Sequence, residues 1–412
     1  MHEFNGTMAG HRSHYYRNLF PIETVFAFVS LHSRKNPENN ELALEFSDEA
    51  PSKFWRNKYC VCASDIAELL RTRHLHALHL GPCFNMCAQR AKGNSRASKI
   101  GKPWFIDLDL QDFPIVNTPK EDMAANDRWA PIVFGAAKTL KEAIRFICGY
   151  EHFVCVYSGR RGCHLWILDE AAFFVPQDVR AAIIKMLSAR VDKSDTKLLV
   201  IDDLCAHPST KSAITVAHKV WNDTIMKNRN EGGCGLLDSP NDIKLFIKKL
   251  FDTPKAETSV DYFHDQLRTD IETKLLSSRT TGQRAFKLIC KRLESNTYMA
   301  YRLQQIKFSY VWPRIDVNAS SELSHLSKVP FSIHAKTDRI SIPIDIDLPN
   351  GDCPQVPKVT GKLLMNSDKR ATMLLNQSAD LFKHVIARAT PVSDALMTDI
   401  EDLVPMEKRR KL

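Results

Sequence analysis

The clearest alternation of apolar and polar side chains runs from Trp104 to Leu110, in the sequence WFIDLDL. With a period of two, Ile106, Leu108 and Leu110 share one face, and two aspartates share the other. We therefore predict a β-strand here. A second strand is predicted at 153–157 and a third at 163–168, and the glycine-bearing turn at 158–162 joins these two as a hairpin.

Helical periodicity dominates the rest of the chain. Apolar residues recur at helical spacing over 14–35 and 129–148, and again between 176 and 305, for example at 179–189 and 242–251. Strand character returns at 308–318 and 339–344. The order sheet, helices, sheet predicts an α+β fold with mixed or antiparallel sheets flanked by helices. In this prediction, residues 176–305 form a helical subdomain inserted into a discontinuous core of 1–175 and 306–412.

Composition and charge are those of an ordinary globular protein. Of 412 residues, 44% are hydrophobic and 25% are charged, with a formal net charge of +9. The longest stretch without a charged residue, 74–89, is shorter than the roughly 20 apolar residues that span a membrane. The N-terminus lacks the apolar core of a signal peptide, so we expect an intracellular protein that does not enter membranes. Eleven cysteines, an odd number, are expected to be mostly reduced thiols.

Positive charge is concentrated between residues 85 and 102, which carry five cations and no acid: Arg90, Lys92, Arg96, Lys99 and Lys102. We predict a mobile basic loop; a solvated surface segment is the alternative. The loop has no aromatic residue, so it is expected to attract only the backbone of a nucleic acid, in a salt-sensitive way. We find no stretch of the chain that combines repeated aromatic residues with basic ones, the pattern of a strong single-strand surface.

Asp107 and Asp109 project from the same face of the first predicted strand. Two neighbouring carboxylates repel each other and are costly to desolvate unless a cation lies between them. Magnesium binds to one or two carboxylates together with substrate phosphates, so a divalent metal site is one interpretation. The alternative is a strand end at which both acids are solvated.

The hairpin turn contains a second group of candidates, Ser158, Arg160, Arg161 and His164. Glycines at 159 and 162 allow backbone amides to approach a ligand closely. Paired guanidinium groups suit phosphate oxygens, and the hydroxyl and imidazole groups add further contacts. A turn is expected to be a surface element, and an ordinary solvent-exposed turn is the alternative.

A third group lies between 312 and 336 and consists of Arg314, Asp316, Lys328 and His334. The sequence Ile-Asp-Val places Asp316 on a predicted short strand, pointing away from the apolar packing. A carboxylate, two cations and an imidazole in so short a segment are the components of a triphosphate site. The alternative is an ordinary strand with surface charge.

Taken in order, these groups resemble the small catalytic subunit of eukaryotic and archaeal DNA primase. The resemblance depends on FIDLD at 105–109, VYSGRRGCHLW at 156–166, WPRIDVN at 312–318 and KVPFSIHAKTDRISIPID at 328–345. It extends from YYRNLF at 15–20 to about residue 345. The combination is far more specific than any one motif.

The resemblance implies roles for individual residues. It assigns two Mg²⁺ or Mn²⁺ ions to the catalytic aspartates, Asp107, Asp109 and Asp316. It assigns the phosphates and sugar of the incoming nucleotide to Ser158, Arg160, Arg161, His164, Lys328 and His334. Arg314 is implied to neighbour the metal site, whereas Trp166 and Ile167 are interpreted as core residues.

Two departures from the family pattern concern zinc and the N-terminal region. The family usually has a four-cysteine zinc knuckle between the first strand and the arginine turn, but residues 111–146 contain neither cysteine nor histidine. The remaining candidates, Cys60, Cys62, Cys83 and Cys87, lack the spacing of a strong zinc site. The family's REFxF element becomes NELAL at 40–44, and Arg56 on the next predicted strand is the candidate replacement for its arginine.

The function implied by the resemblance is synthesis of short RNA primers from ribonucleoside triphosphates on single-stranded DNA. The implied partners are a primase large subunit and a DNA polymerase alpha complex. The implied location is the nucleus, and the basic cluster EKRRKL at 407–412 is a candidate import signal or simply a short basic tail. One alternative is a primase-polymerase that uses deoxynucleotides in repair or damage tolerance. A second is a non-catalytic nucleic-acid-binding subunit.

The absence of the zinc knuckle gives the first testable prediction. Elemental analysis of the purified protein after extensive dialysis should find well below one zinc per chain, because structural zinc requires thiolate or imidazole ligands that 111–146 does not contain. Stoichiometric zinc that survives treatment with a chelator would contradict this prediction.

Overall fold

The computed structural model describes residues 8–46, 53–72, 75–113, 115–116, 121–191, 198–201, 210–252, 258–348 and 354–390. The strands are β1 (Asn40–Phe46), β2 (Lys53–Lys58), β3 (Leu75–Phe84), β4 (Lys99–Gly101), β5 (Trp104–Asp109), β6 (Phe153–Tyr157), β7 (Gly162–Ile167), β8 (Ser327–Lys328) and β9 (Pro343–Ile344). The helices of the N-terminal half are α1 (Met8–Asn18), α2 (Ile22–Val29), α3 (Ala63–Leu70), α4 (Ala88–Ala91), α5 (Met123–Cys148), α6 (Glu170–Phe173) and α7 (Gln177–Leu187). Those of the C-terminal half are α8 (Lys211–Val220), α9 (Pro240–Phe251), α10 (Thr258–Ser277), α11 (Gly282–Leu293), α12 (Thr297–Val311), α13 (Val317–Ser321), α14 (Gly361–Met365) and α15 (Lys369–Ala389).

The strands form two sheets, and every described strand pair is antiparallel. Sheet A has the order β2-β1-β3-β4, with β8 also paired to β3. Sheet B has the order β5-β7-β6-β9. Helices flank both sheets, so the α+β prediction is confirmed.

Sheet B separates two hydrophobic cores. The side chains of Trp104, Ile106 and Leu108 lie in one core, together with α5 and the helices of the C-terminal half as far as α12. Phe105 and Trp166 lie in the other core, with sheet A and the helices near both ends of the described chain. The alternation predicted for this strand is therefore confirmed, as are the hairpin and the interior position of Trp166 and Ile167, which are 0% and 1% exposed.

Between 176 and 305 the described residues are mainly helical, as the sequence predicts. Local signals explain the helix ends. The Ser239 hydroxyl accepts a hydrogen bond from the amide of Asp242 at the start of α9. At the C-terminus of α5, Gly149 adopts a φ of +72°, which glycine tolerates better than other residues. These helices share a core with sheet B, and the proposed domain boundaries stay a prediction.

Three predicted elements differ from the structure. The single helix at 14–35 is divided into α1 and α2, because Pro21 cannot continue a helical hydrogen-bond ladder. The strand at 308–318 is wrong: 308–311 complete α12, and Pro313 then removes a backbone donor. At 339–344, regular strand is confined to β9, with isolated bridges beside it.

Sheet A contains a strand that the sequence pattern did not reveal. β3 is buried along nearly its whole length, so it shows no regular alternation of apolar and polar residues. It leads into the basic segment 85–102, which contains α4 and β4. Four of the segment's cations are exposed, but Lys102 is only 1% exposed, and its ammonium group donates to the carbonyl of His325. The interpretation of the whole segment as a solvated loop is therefore wrong at Lys102.

The described helices include none with the length and hydropathy needed to cross a membrane.

Aromatic rings connect the C-terminal helix to the centre of the molecule. Phe382 on α15 is fully buried, and its ring centroid lies 5.1 Å from that of Phe28 and 5.9 Å from that of Phe331. Phe28 in turn meets Trp166 of sheet B edge to face at 5.1 Å. These contacts attach both ends of the described chain to the same sheet.

Phe382→Ala should therefore lower the free energy of unfolding by about 3–5 kcal/mol, because it removes a buried ring and leaves a cavity. Met373→Ala on the same helix is the matched control, because Met373 is 51% exposed and its replacement should change stability by less than about 0.5 kcal/mol. Urea unfolding of both variants measures the difference. Equal effects would show that the ring contacts do not anchor α15.

Candidate active site

Asp107 and Asp109 lie where β5 emerges from the second core. The strand register places them opposite His164 and Gly162 of β7. Their side chains are 31% and 34% exposed, whereas Ile106 and Leu108 are completely buried on the other face. The hydrophobic face of β5 thus holds the two carboxylates at the mouth of a cleft between the sheets.

Asp316 reaches the same place by a different route from the one predicted. It is the N-cap of the short helix α13, where its Oδ1 accepts from the amide of Ala319 at 3.0 Å. Its own backbone N–H points to the carbonyl of Asp107 at 3.4 Å. The predicted short strand is wrong, but the structure does bring Asp316 next to β5.

The carboxylates repel one another. Burial raises the pKa of Asp107 to about 7, and Asp109, Asp316 and Asp112 contribute further. Asp112, which sequence reasoning missed, follows β5 on the single turn Leu110–Asp112, so a period of two could not place it on this face. Burial raises its pKa to about 6, with additional contributions from Asp109 and Asp316.

Arg161 neutralises part of this charge directly. Its Nε lies 2.6 Å from Oδ1 of Asp109, and its buried Nη1 makes no hydrogen bond within the described structure. The imidazole of His164 is close as well, with 3.6 Å between its Nε2 and Oδ1 of Asp107. Arg314 is near enough to oppose the rise in the pKa of Asp112.

Arg160 points to a different carboxylate. One of its Nη atoms lies 3.0 Å from Oε1 of Glu121, which is itself 78% exposed. The side chains of Arg160 and Arg161 in the turn are only 8% and 15% exposed. The expectation of an exposed surface turn is therefore wrong, because the loop that carries His334 covers it.

The turn is closely packed against that loop. Gly159 has a φ of +94°, and a Cβ there would approach the Cβ of His334 to 2.7 Å. Ser158 Oγ accepts from the amide of Gly162 at 3.2 Å, and the Lys328 ammonium group donates to the carbonyl of Ser158. The structure therefore brings Ser158, Lys328 and His334 together, although they are far apart in sequence.

These buried nitrogen groups form an electropositive pocket. Burial lowers the pKa of His334 to about 2 and that of His164 to about 3, so both imidazoles are neutral at physiological pH. Lys328 contributes to both shifts, and Arg160 and Arg161 contribute to the first. Burial lowers the pKa of Lys328 itself to about 8. Crowded cations beneath a cleft favour an anionic ligand, which would relieve their repulsion.

Two pairs of side chains line the cleft on the side of sheet A: His79 with Glu45, and Arg56 with Glu41. His79 is the register partner of Lys328, and its Nε2 lies 2.8 Å from Oε2 of Glu45. Arg56, the candidate replacement for the missing arginine, makes a two-pronged ion pair with Glu41, at 2.8 and 2.9 Å. Its role toward a nucleotide stays a prediction.

The acidic group matches a hard divalent cation in chemistry and charge. Carboxylate oxygens are the ligands that Mg²⁺ prefers, and a cation would relieve the repulsion from Asp109, Asp316 and Asp112 that helps to raise the pKa of Asp107. Within the described residues, no three His, Cys, Asp or Glu side chains are already grouped as a metal site. Arg161 holds Asp109 in that position instead, so the residues fit a cation once this ion pair opens.

The four cysteines considered for zinc lie elsewhere. Cys60 and Cys62 precede α3, whereas Cys83 is on β3 and Cys87 is at the start of α4. Burial raises the pKa of the thiols of Cys60 and Cys83 to about 12, which disfavours the thiolate that binds zinc.

The chain is similar in sequence to known proteins of one family. The family model for the DNA primase small subunit matches residues 106–346, a range that contains every candidate site residue from Asp107 to His334. The chain is also similar to the DNA primase small subunits of Schizosaccharomyces pombe and Saccharomyces cerevisiae. Identity is 24% with the former, covering 89% of this chain and 82% of the relative. It is 21% with the latter, covering 90% and 89%.

The corresponding protein of Drosophila melanogaster is 22% identical, with 84% of this chain and 79% of the relative covered. The similarity thus extends well beyond the cleft in each case. Because the family model matches more than half of the chain, this protein belongs to the DNA primase small subunit family.

Proposed function

We propose that this protein is a nucleotidyltransferase that synthesises short RNA primers on single-stranded DNA for replication. One observation carries the proposal. Two separate parts of the chain, β5 and the start of α13, bring Asp107, Asp109 and Asp316 together in a cleft that is also lined by buried cations and imidazoles. A metal-bound triphosphate combines a positive metal ion with negative phosphates, and these complement the acidic and the basic groups of such a cleft. The family assignment identifies the reaction as primer synthesis.

The electropositive pocket would bind the triphosphate. Lys328 and Arg161 supply charge-assisted hydrogen bonds, and the neutral imidazoles of His164 and His334 supply donors without adding charge. Ser158 and Gly159 position the lysine and the turn through the backbone contacts described above. Because these groups are held before the substrate arrives, little reorganisation remains when the nucleotide binds.

The aspartates would hold the metal. When bound, two Mg²⁺ or Mn²⁺ ions would activate the attacking 3′-hydroxyl and stabilise the leaving pyrophosphate. Asp316 is oriented by its helix cap, and Asp107 by the β5–β7 register. Arg161 forms an ion pair with Asp109 in the free protein, and with a cation held by the aspartates its guanidinium group would be available to a phosphate.

The proposed partners and cellular location follow from the family. A small subunit is expected to work with a primase large subunit, and we propose a DNA polymerase alpha complex as the larger assembly. The proposed location is the nucleus. The basic cluster at 407–412, the candidate import signal, lies outside the described residues.

The test of this function compares ribonucleotide and deoxyribonucleotide incorporation on single-stranded DNA. Asp107→Ala combined with Asp109→Ala should reduce ribonucleotide incorporation by about a thousandfold or more. The variant lacks the carboxylates that would hold the metal, and so loses several kcal/mol of transition-state stabilisation. The control is Asp265→Ala with Asp380→Ala, which removes the same charge from exposed helix positions.

Each outcome of this assay separates the functions considered. Preference for deoxynucleotides would favour the repair-type primase-polymerase. Incorporation that is unchanged in the double aspartate variant would show that the cleft is not catalytic. A wild-type protein that binds DNA but incorporates nothing would indicate a non-catalytic subunit.

Arg161 gives a second prediction. Arg161→Ala should weaken nucleotide binding at least about tenfold, because a charge-assisted phosphate contact is worth about 1.5–3 kcal/mol. Binding of Mn²⁺ alone should not weaken, since the substitution also frees Asp109. Titration calorimetry with each ligand measures the two effects.

Arg145→Ala is the control for that experiment, because Arg145 is exposed and pairs with Glu151 on the surface. Since Arg161 is only 15% exposed, the melting temperature of its variant should be measured in parallel. Wild-type nucleotide affinity, or a parallel decrease in Mn²⁺ binding, would contradict the role proposed for this arginine.

A further inference from the structure

Strand β2 is an edge of sheet A and exposes aromatic side chains beside cations. Its sequence is KFWRNK, and Phe54 and Trp55 are 42% and 54% exposed. The Lys58 ammonium group lies 5.7 Å from the centroid of the Trp55 ring. Flat aromatic faces next to positive charge are the two components of surfaces that bind single-stranded nucleic acid.

The fold brings the basic segment 85–102 to this strand. The side-chain amide of Asn57 donates to the carbonyl of Ala88, the first residue of α4, at 3.1 Å. From there the segment carries four exposed cations: Arg90, Lys92, Arg96 and Lys99. The expectation that no stretch combines repeated aromatic residues with basic ones overlooks KFWRNK at 53–58, and the structure brings that strand beside the basic segment.

The two exposed rings of β2 lie on opposite faces of sheet A, because neighbouring residues of a strand alternate, and Phe54 is the one on the face toward the candidate active site. Phe54 is the register partner of Glu45, so both side chains lie on the cleft face of sheet A. The ring centroid of Phe54 is 5.2 Å from that of His79, which in turn is the register partner of Lys328. The charge of Asp107 acts on Lys328 from the opposite side of the cleft. A single strand that crosses this edge of the sheet from Trp55 to Phe54 would thus enter beside the nucleotide pocket.

We propose that β2 and the basic segment form the path by which the single-stranded DNA template enters the cleft. As the strand crosses this sheet edge, one base stacks on Trp55 and another on Phe54, and the phosphates contact Lys58 and the exposed cations of the segment. The identity of the strand as template rests on the proposed function. Duplex DNA fits less well, since its paired bases cannot stack on side chains, and the excess of cations disfavours a neutral or basic peptide.

The binding test uses the full-length protein and a fluorescein-labelled oligo(dT), followed by fluorescence anisotropy. Trp55→Ala and Phe54→Leu should each weaken binding by about 5- to 150-fold, the equivalent of one stacked base. Tyr298→Ala is the matched control, because Tyr298 is an aromatic residue of similar exposure, 52%, in the helical region. The affinity of this control should equal that of the wild type.

Intrinsic fluorescence provides an independent signal from the same site. Four of the six tryptophans, Trp104, Trp166, Trp221 and Trp312, are completely buried, and Trp129 is partly buried against the helical core, so a base stacked on β2 should quench mainly Trp55. Trp55→Phe should abolish the quenching by oligo(dT) while keeping most of the affinity, because a phenyl ring still stacks. This variant also distinguishes weaker stacking from impaired folding.

The cations are tested through the dependence of binding on salt. Arg90→Gln combined with Lys92→Gln should reduce the slope of log K against log salt by about 1.4, or about 0.7 for each phosphate that the protein no longer neutralises. Lys369→Gln with Lys383→Gln changes the net charge equally at exposed positions of α15 and should leave the slope unchanged.

Wild-type affinity in Trp55→Ala and Phe54→Leu, or an unchanged salt slope in the Arg90 and Lys92 variant, would overturn the proposal. The proposal would also be overturned if these variants bound oligo(dT) normally but failed to bind the large subunit, because β2 would then be an edge at which a protein docks. Because DNA binding is measured without nucleotides, the result is independent of the catalytic assay. A protein that incorporates ribonucleotides but binds template normally in these variants would disprove this inference alone.

Discussion

Electrostatic repulsion among the carboxylates at the end of β5 is the constraint on which the site depends. Asp107, Asp109, Asp112 and Asp316 act on one another strongly enough to help raise the pKa of two of them well above the ordinary range. Such a cluster is destabilising by itself, so the fold has to supply the positions that hold it. β5 does so through a backbone paired to β7 and an apolar face buried in a core.

The lysine and imidazole groups that surround these carboxylates carry the complementary free-energy cost. Burial lowers the pKa of Lys328, His164 and His334, which means that charge on these groups is disfavoured in the free protein. Among the described residues, these nitrogen groups approach the catalytic acids at the ion pair of Arg161 with Asp109 and at the 3.6 Å approach of His164 to Asp107. A ligand that carries both a cation and phosphates relieves both sides at once, which makes binding and charge compensation the same event.

The part of the site that sequence revealed is the part built from local pattern. Asp107, Asp109 and the arginine turn are encoded by a period of two and a short glycine-bearing hairpin, and all were found where they were expected. Asp316 was placed on the wrong element because Pro313 and a helix cap, not alternation, decide the backbone there. Asp112 was missed because it lies on a turn after the strand. Sheet A was largely missed because β3 is buried on both faces. The association of β2 with the basic segment was missed because it depends on a hydrogen bond between residues that are distant in sequence.

Sheet B faces a different hydrophobic core on each side, and this has a consequence for divergence among relatives. A substitution in the helices that pack on one side can be compensated by a neighbouring residue in the same core. The resulting shift in packing need not be transmitted through the strand to the cleft. The backbone of β5 acts as a partition that isolates the positions of the carboxylates from such exchanges. Family members that share only about one residue in four with this chain can therefore differ in their helical regions without displacing the carboxylates of the cleft.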